Sequence, residues 1–134
     1  SVYHSSNIFG KVKIGKNTWI GPFTIIDGSG GEIKIGDYCS ISSGVQIYTH
    51  DTVKWSLTGG KAEFEKGNVS IGDNCYVGPN VIISKDVKIG KGCIIGSNSF
   101  VNRNIPQNSI VYGIPGKKVG KVKIVGKKIS LEYL

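Results

Sequence analysis

The sequence has 134 residues and a formal net charge of +8, from 17 Lys and Arg against 9 Asp and Glu, and it contains 20 glycines. A chain of this length predicts a single domain, residues 1–134, and its glycines show neither the period of collagen nor the clustering of a low-complexity segment. Since no apolar run approaches the roughly 18 residues that cross a bilayer, and the first ten residues lack the pattern of a signal peptide, we expect a cytoplasmic protein without a membrane span.

Isoleucine or valine recurs at every sixth position along most of the chain. A period of six does not fit the 3.6 residues of a helical turn, and glycine, Asn and Asp return too often for long strands. Each hexad therefore predicts a short strand and a turn, and three hexads predict one triangular coil of a solenoid, with coils about 4.8 Å apart. The periodic positions, between about residues 8 and 105, are Ile8, Ile14, Ile20 and Ile26, then Ile35, Ile41 and Ile47, then Ile71, Val77, Ile83, Ile89, Ile95 and Val101.

Small or β-branched residues stand four positions after these aliphatics, and three of them are cysteines: Cys39, Cys75 and Cys93. Their spacings of 36 and 18 residues match no zinc signature, so we expect no metal site. The coil scheme puts all three on one face, as a stack of small side chains in the core. Three buried cysteines also indicate a reducing compartment.

One long segment interrupts the period, "IYTHDTVKWSLTGGKAEFEKGNVSIG" at residues 47–72, and predicts an extended loop over about residues 50–68. It begins at an unusual corner of the coil. The residue after each stacking aliphatic is nearly always glycine at two corners, as tight turns require. At the third corner these residues are Phe9, Asp27, Tyr48, Ser84 and Asn102. That corner either carries function or is a wider polar turn.

The exit segment, about residues 106–134, carries most of the excess charge. Seven basic residues follow residue 102, against Glu132 alone: Arg103, Lys117, Lys118, Lys121, Lys123, Lys127 and Lys128. They suggest a phosphate-bearing partner, or else a solvated basic surface. Nucleic acid is not expected, because the tail lacks interleaved aromatic residues and a binding motif. Residues 121–134 alternate enough for a strand pair, although a helix stays open.

The stretch "VSIGDNCYVGPNVIISKDVKIGKGCIIGSNSFV", residues 69–101, resembles the hexapeptide-repeat acyltransferases. The resemblance implies an all-β fold, the left-handed parallel β-helix, and a homotrimer with active sites at subunit interfaces. It also implies acetyl-CoA as cosubstrate, without a metal. The γ-type carbonic anhydrases share the scaffold, but they need three histidines and this chain has two.

The segment "IYTH" at residues 47–50, followed by a loop, is similar to the segment that carries the catalytic histidine in sugar O-acetyltransferases of this family. The resemblance implies that His50 is the general base, a role that suits a side chain able to accept a proton near neutral pH. Asp51 is the candidate that orients its imidazole. A loop histidine without function stays the alternative, and His4 is taken as incidental. Candidate acceptor contacts are Asp27, Tyr48, Lys54 and Trp55, with Trp55 alternatively packing against a neighbouring subunit.

The segment "GIPGKK", residues 113–118, resembles the motif that closes the last coil in the family. By position, Gly78, Gly96 and Ser97 would line the pantetheine of CoA. Arg103, Lys117 and Lys118 would contact its phosphates, for which charge-assisted hydrogen bonds are suited. Tyr76 or Pro115 would lie near the adenine or pantetheine.

The sequence thus predicts acetyl transfer from acetyl-CoA to a hydroxyl of a sugar or sugar-containing acceptor, as in polysaccharide biosynthesis. One alternative is an N-acetyltransferase acting on the amino group of an amino sugar, including a nucleotide-linked one. Another is a non-catalytic β-helix that serves binding or assembly. Nucleic-acid binding through the basic tail ranks last.

Overall fold

A computed structural model describes residues 1–134, and its regular secondary structure is almost entirely β-strand, wound into a parallel β-helix. The predicted all-β solenoid is therefore confirmed. Its one helix, α1, has five residues, so no helix has the length and apolar character needed to cross a membrane. The elements are β1 Asn7–Ile14, β2 Trp19–Ile20, β3 Ile25–Ile35, β4 Ser40–Ile41, β5 Gln46–Tyr48, β6 His50–Asp51, α1 Val53–Leu57, β7 Glu65–Lys66, β8 Val69–Ile71, β9 Tyr76–Val77, β10 Ile82–Ile83, β11 Val87–Ile89, β12 Ile94–Ile95, β13 Phe100–Val101, β14 Ser109–Tyr112, β15 Lys117–Val125 and β16 Lys128–Tyr133.

Strand pairing sorts the coils into three faces. Face I holds the first halves of β1 and β3 with β5, β10 and β13. Face II holds the second halves of β1 and β3 with β8 and β11. Face III holds β2, β4, β9, β12 and β14. We name the corners by the faces they join in chain order: I–II, II–III and III–I.

The core is the predicted column of aliphatic side chains. Ile26, Ile47 and Ile83 stack in register on face I and are fully buried, and the periodic positions of the inner coils behave alike. Burying such a side chain is worth about 1.5–3 kcal/mol, so the stack supplies much of the driving force for folding. Ile8 differs, with 37% of its surface exposed, because the first coil is the open end of the stack.

The three cysteines are free thiols, and all are buried, as the coil scheme predicts. Each thiol donates to a corner carbonyl in the next coil at 3.1–3.2 Å, from Cys39 to Gly72, Cys75 to Gly90 and Cys93 to Pro106. The hydroxyl of Thr18 continues this column by donating to the carbonyl of Gly36 at 2.6 Å. The column therefore pairs carbonyls that the tight II–III corner leaves without a backbone partner.

The exit segment forms a strand pair and not a helix. Strand β15 pairs antiparallel with β14 and then with β16, so the hairpin extends the sheet of face III beyond the last coil. Its outer strand exposes apolar and basic side chains to solvent, including Ile129 and Lys128.

Candidate active site

The I–II corner is where the coils depart from regular geometry. Strands β1 and β3 run continuously around it, and the third coil leaves it for the loop between β5 and β8. Phe9, Asp27 and Tyr48 occupy adjacent positions there in the strand register. The column of non-glycine residues read from the sequence is therefore a real edge of the molecule, and it leads directly to His50.

His50 faces the carboxylate of Asp27. Its Nδ1 lies 3.8 Å from Asp27 Oδ2, and the two side chains are 26% and 8% exposed. The distance exceeds a hydrogen bond, and Nδ1 is buried without any other partner. A buried imidazole nitrogen that faces a carboxylate across such a gap needs only a small movement to form a hydrogen bond with it.

Hydrogen bonds hold both the carboxylate and the backbone carbonyl of Asp27. Its Oδ1 accepts hydrogen bonds from the amide of Ser29 at 2.9 Å and the hydroxyl of Ser29 at 2.5 Å. Its backbone carbonyl accepts from the hydroxyl of Thr49 at 2.8 Å, and that hydroxyl accepts from the amide of Gly30 at 2.9 Å. Because Oδ1 is engaged by Ser29, Oδ2 is the oxygen left for His50.

Gly30 allows the close approach of the two coils at this point. A Cβ atom on residue 30 would lie 2.6 Å from the Cβ of His50. Real Cβ atoms do not approach so closely, so any side chain here would displace His50 from Asp27. Ile26 and Ile35 are nine positions apart and not six. The additional residues of β3 between them form the surface beneath His50.

Asp51 does not contact the imidazole, contrary to the orienting role predicted for it. Its carboxylate accepts from the amide of Val53 at 3.1 Å and pairs with Lys85 Nζ at 3.0 Å. These two contacts hold the pKa of Asp51 below its usual range, the Val53 amide contributing most. The carboxylate that faces His50 belongs to Asp27, which the sequence had suggested only as an acceptor contact.

Lys85 ties the two ends of the loop to the fourth coil, and the sequence reasoning missed it. The ends pair as strands β6 and β7, with Asp51 opposite Glu65. Lys85 Nζ lies 3.0 Å from Asp51 and 3.3 Å from Glu65, and the hydrogen bond to Asp51 is the main reason that its pKa is raised. Its position directly after Ser84, in the column of the I–II corner, was the available signal.

The loop places aromatic side chains over the histidine. The ring of Phe64 stacks near that of His50, with centroids 6.3 Å apart and planes at 28°, and Trp55 meets Phe64 edge-on at 6.0 Å. Lys54 pairs with Glu65 at 2.5 Å. Trp55 and Lys54 therefore brace the loop, with part of each side chain exposed.

Tyr48 lies beside Asp27 on the floor of the corner. Its hydroxyl donates to Gln46 Oε1 at 2.6 Å. Burial, and then the charge of Asp27, raises the pKa of Tyr48. The corner thus presents His50 with a half-buried phenol, a carboxylate and an aromatic cover, a mixture that suits the apolar and polar faces of a sugar.

A second groove runs along face III to the III–I corner. It is lined by Tyr76, Ile94, Gly96, Ser97 and Tyr112. Gly78 lies buried directly beneath, in the neighbouring coil. The ring of Tyr112 rests on Gly96, and a Cβ atom on residue 96 would collide with it, so any side chain there would displace the tyrosine. The structure therefore brings together four of the residues predicted to hold CoA, and adds Tyr112.

The other predicted CoA residues do not line this groove, although Lys117 is the strand partner of Tyr112, which does. Arg103 follows Asn102 on the I–II corner, whereas Pro115 precedes β15, whose first residues are Lys117 and Lys118. All four side chains are exposed. Lys117 and Lys118 lie opposite Tyr112 and Val111 of β14 in the antiparallel pairing at the end of face III. The short face I strands β5, β10 and β13, of two or three residues each, separate the groove from the corner that carries His50.

No group of three or more His, Cys, Asp or Glu side chains has the arrangement of a metal site. Each of the three cysteine thiols donates a hydrogen bond to a backbone carbonyl.

Comparison with known proteins gives a family match at the sequence level. The model for the bacterial transferase hexapeptide, six repeats, matches residues 68–103. Protein CapG of Staphylococcus aureus is 43% identical over 98 residues, which are 72% of this chain and 57% of CapG. The chain thus spans little more than half the length of this relative.

Solved structures share the fold. The hexapeptide-repeat acetyltransferase VCA0836 of Vibrio cholerae, complexed with acetyl coenzyme A, matches with a TM-score of 0.80 at 29% identity, over 89% of this chain and 65% of that one. A variant of the N-acyltransferase AntD of Bacillus cereus, complexed with dTDP-4-amino-4,6-dideoxyglucose and coenzyme A, matches with a TM-score of 0.78 at 26% identity, over 90% and 68% of the two chains.

A maltose O-acetyltransferase from Clostridium difficile 630 matches with a TM-score of 0.72 at 27% identity, over 92% of this chain and 70% of that one. The repeat, the coil register and these similarities agree with one another. Residues 68–103 therefore carry the hexapeptide repeat of this family, and the chain has the β-helical fold of the hexapeptide-repeat acetyltransferases.

Proposed function

We propose that this protein transfers an acetyl group from acetyl-CoA to a hydroxyl of a sugar or sugar-containing acceptor, with His50 as the general base. The observation that carries the proposal is the pairing of His50 with Asp27 at the one corner where the solenoid opens into a loop. Nδ1 is buried and faces Asp27, so Nε2 is the nitrogen that can reach a substrate.

The chemistry follows from this arrangement. The carboxylate of Asp27 favours the tautomer with the proton on Nδ1, which leaves Nε2 free to accept the proton of an acceptor hydroxyl. As that proton leaves, the acceptor oxygen attacks the carbonyl carbon of the thioester. The C–S bond then breaks, and the protonated His50 returns the proton to the departing thiolate of CoA.

The groove on face III is the proposed site for the pantetheine of acetyl-CoA, with Gly78, Gly96, Ser97 and Tyr76 along it. VCA0836 and AntD, which share the fold, were solved with acetyl coenzyme A and coenzyme A. Arg103, Pro115, Lys117 and Lys118 are the proposed contacts for the remainder of CoA. Their exposed positive charges suit its phosphates.

The groove and His50 lie on different corners of one prism, so a single chain does not bring the donor to the base. We propose that a second copy supplies the groove, in a homotrimer with active sites between subunits. The outward side chains of face I, which joins the two corners, support this packing because they include Ile25, Ile82 and Phe100, all partly buried even in one chain. A trimer whose face I points inward sets the III–I corner of one copy against the I–II corner of the next.

Acetyl transfer to an amino group of an amino sugar is the second candidate. It is favoured by the similarity to AntD, an N-acyltransferase solved with an amino sugar nucleotide. The O-acetyl reading rests on the His50–Asp27 pair, since a hydroxyl needs a base more than a neutral amine does, and on the similarity to a maltose O-acetyltransferase.

The deciding experiment is release of free thiol from acetyl-CoA with maltose or glucosamine as acceptor, for the native protein and for His50→Ala. We expect the substitution to lower kcat with the hydroxyl acceptor by about 10²- to 10⁴-fold, the usual contribution of a general base. His4→Ala is the matched control, because His4 is exposed and far from the corner in the coil order. Activity that survives in His50→Ala only with glucosamine supports the N-acetyl candidate.

A further inference from the structure

Face II carries a row of four outward polar side chains, of which three are lysines. Lys13, Lys34, Ser70 and Lys88 occupy successive positions in the strand register, and each stands between two inward aliphatic residues. They therefore point outward, about 4.8 Å apart from coil to coil. No other face of the solenoid presents such a row: at the same positions face I carries Asn7, Ile25, Gln46, Ile82 and Phe100, and face III carries Trp19, Ser40, Tyr76 and Ile94.

A continuous groove follows this row. One depression extends from Lys11 over Gly28 and Gly31 to Asn68, and a second extends from Glu32 and Asn68 to Asn104. Because they share Glu32 and Asn68, together they run across all five coils, roughly 19 Å at the usual strand spacing. The first depression is lined in part by Gly30, on which a Cβ atom would lie 2.6 Å from the Cβ of His50, so the groove passes beside the candidate active site.

Two asparagine side chains present hydrogen-bond donors to this groove. Asn68 Oδ1 accepts from the amide of Glu32 at 2.9 Å, and Asn104 Oδ1 accepts from the amide of Lys88 at 2.8 Å. These bonds fix the orientation of both side-chain amides. Each NH₂ group is consequently left as a donor for a ligand.

The charge of the groove is positive on balance. Lys11 and Lys34 lie 3.2 Å from the two oxygens of Glu32, which lowers the pKa of that carboxyl and aligns the two lysines along the groove. Lys88 has no carboxylate within 4 Å. The groove has two carboxylates, Glu32 and Asp86, against four lysines: Lys11, Lys13, Lys34 and Lys88.

Face II remains open in the proposed assembly. Copies that meet along face I leave face II on the outside, next to the cleft that holds His50. Burying several lysines between subunits would also cost much of their hydration. The groove is therefore accessible to a ligand that already occupies the active site.

We propose that the face II groove binds an acidic oligosaccharide, so that the acceptor is an anionic glycan whose reacting sugar lies at His50 and whose further sugars lie along face II. This inference rests on the proposed function. The length of the groove fits several linked sugars better than a diphosphate. Its lining contains no aromatic side chain on which a nucleobase could stack, which argues against a nucleotide.

The test is calorimetric binding of a galacturonic acid hexamer to the full chain at low salt and without acetyl-CoA. Maltohexaose serves as the neutral saccharide and UDP-glucose as the diphosphate. We expect the hexamer to bind, maltohexaose not to bind, and Lys34→Gln/Lys88→Gln to weaken binding of the hexamer at least about tenfold. Lys127→Gln/Lys128→Gln, which makes the same charge change on the exposed hairpin, leaves binding unchanged.

A second variant tests the amide donors. Asn104→Asp keeps an acceptor for the Lys88 amide, so the fold is retained, but replaces the outward donor by a carboxylate oxygen; it should also weaken binding. Equal binding by the groove and hairpin variants, or no binding of the hexamer, overturns the inference. UDP-glucose binding that is lost in the groove variant overturns it too, in favour of a diphosphate site. Binding of the hexamer by a protein that transfers no acetyl group supports the saccharide groove and contradicts the proposed function alone.

Discussion

His50 and Asp27 come from different coils, and their meeting depends on residues that have no part in the repeat. Gly30 permits the close approach, Thr49 bonds to the backbone of Asp27, and Ser29 holds one carboxylate oxygen. These contacts leave the second oxygen 3.8 Å from His50 Nδ1. The catalytic proposal therefore rests on this oxygen and can be tested separately from the histidine.

Asp27→Asn should lower kcat by about 100-fold or more and leave KM for acetyl-CoA little changed. An amide can donate to Nδ1, which would put the imidazole proton on the wrong nitrogen. Asp51→Asn is the matched control, because Asp51 bonds to Val53 and Lys85. Steady-state kinetics of both variants decide the point: if Asp51→Asn is the more damaging, then the predicted orienting role of Asp51 is right and that of Asp27 is not.

The sequence could predict the corner but not this pair. Asp27 and Tyr48 follow stacked isoleucines, so their place in one column is visible from the six-residue period alone. His50 lies two residues beyond that column, where the loop begins, and β3 adds residues that break the period at the same height. A contact made by two irregular segments is decided by local hydrogen bonds, which the repeat does not encode.

At the scale of elements, the cysteine column satisfies backbone carbonyls at the II–III corner. A tight turn leaves a carbonyl without a strand partner, and a small side chain with a donor satisfies it. Thr18 shows that a hydroxyl serves as well as a thiol at this position. This explains why Cys39, Cys75 and Cys93 are small and buried, beyond the packing role that the sequence predicts.

Cys75→Val should therefore lower the free energy of unfolding by about 1 kcal/mol more than Cys75→Thr. The two side chains have nearly the same shape, but only threonine can donate to the carbonyl of Gly90, which Cys75 contacts at 3.2 Å. In an ordinary apolar core the order would be reversed. Urea unfolding at a fixed protein concentration measures the difference, and a more stable valine variant would contradict the proposed role of the column.

The loop is held by ion pairs at its two ends, so its order should depend on pH. The pKa of Asp51 is lowered by the Val53 amide and Lys85, and that of Glu65 by Lys54 and Lys85. For a carboxyl with a lowered pKa, the stabilising contribution is present above its ordinary value, about pH 4, and is lost as the pH falls through the lowered value. The loop should open in that acidic range.

Trp55 fluorescence in a Trp19→Phe background reports this opening, because these are the two tryptophans of the chain. We expect the signal to change below about pH 4 while the circular dichroism of the solenoid persists. Lys85→Met should move the change upward by roughly half a pH unit, as expected for partly exposed ion pairs. Lys91→Met, an exposed lysine without an ion pair, should not; an identical shift in both variants would remove Lys85 from the account.

At the scale of the whole molecule, the six-residue period predicts the solenoid because the core consists of the repeat itself. Each hexad gives a strand and a corner, and stacking them leaves few alternatives. For residues 121–134 the sequence does not decide between a strand pair and a helix, because no further repeat stacks on the last coil. Pairing of β15 with β14 decides it, because the exposed sheet edge of face III accepts a strand.

The separation of the groove from His50 makes one prediction about the assembly. His50→Ala and Ser97→Trp should each be inactive alone, the second because an indole at this exposed position fills the groove. If each site takes its base from one subunit and its groove from the next, random trimers formed by unfolding and refolding the two together should regain about a quarter of the native activity. Mixing without unfolding should regain none. Refolded trimers of native mass that stay inactive would mean that the base and the donor groove of each site come from the same chain.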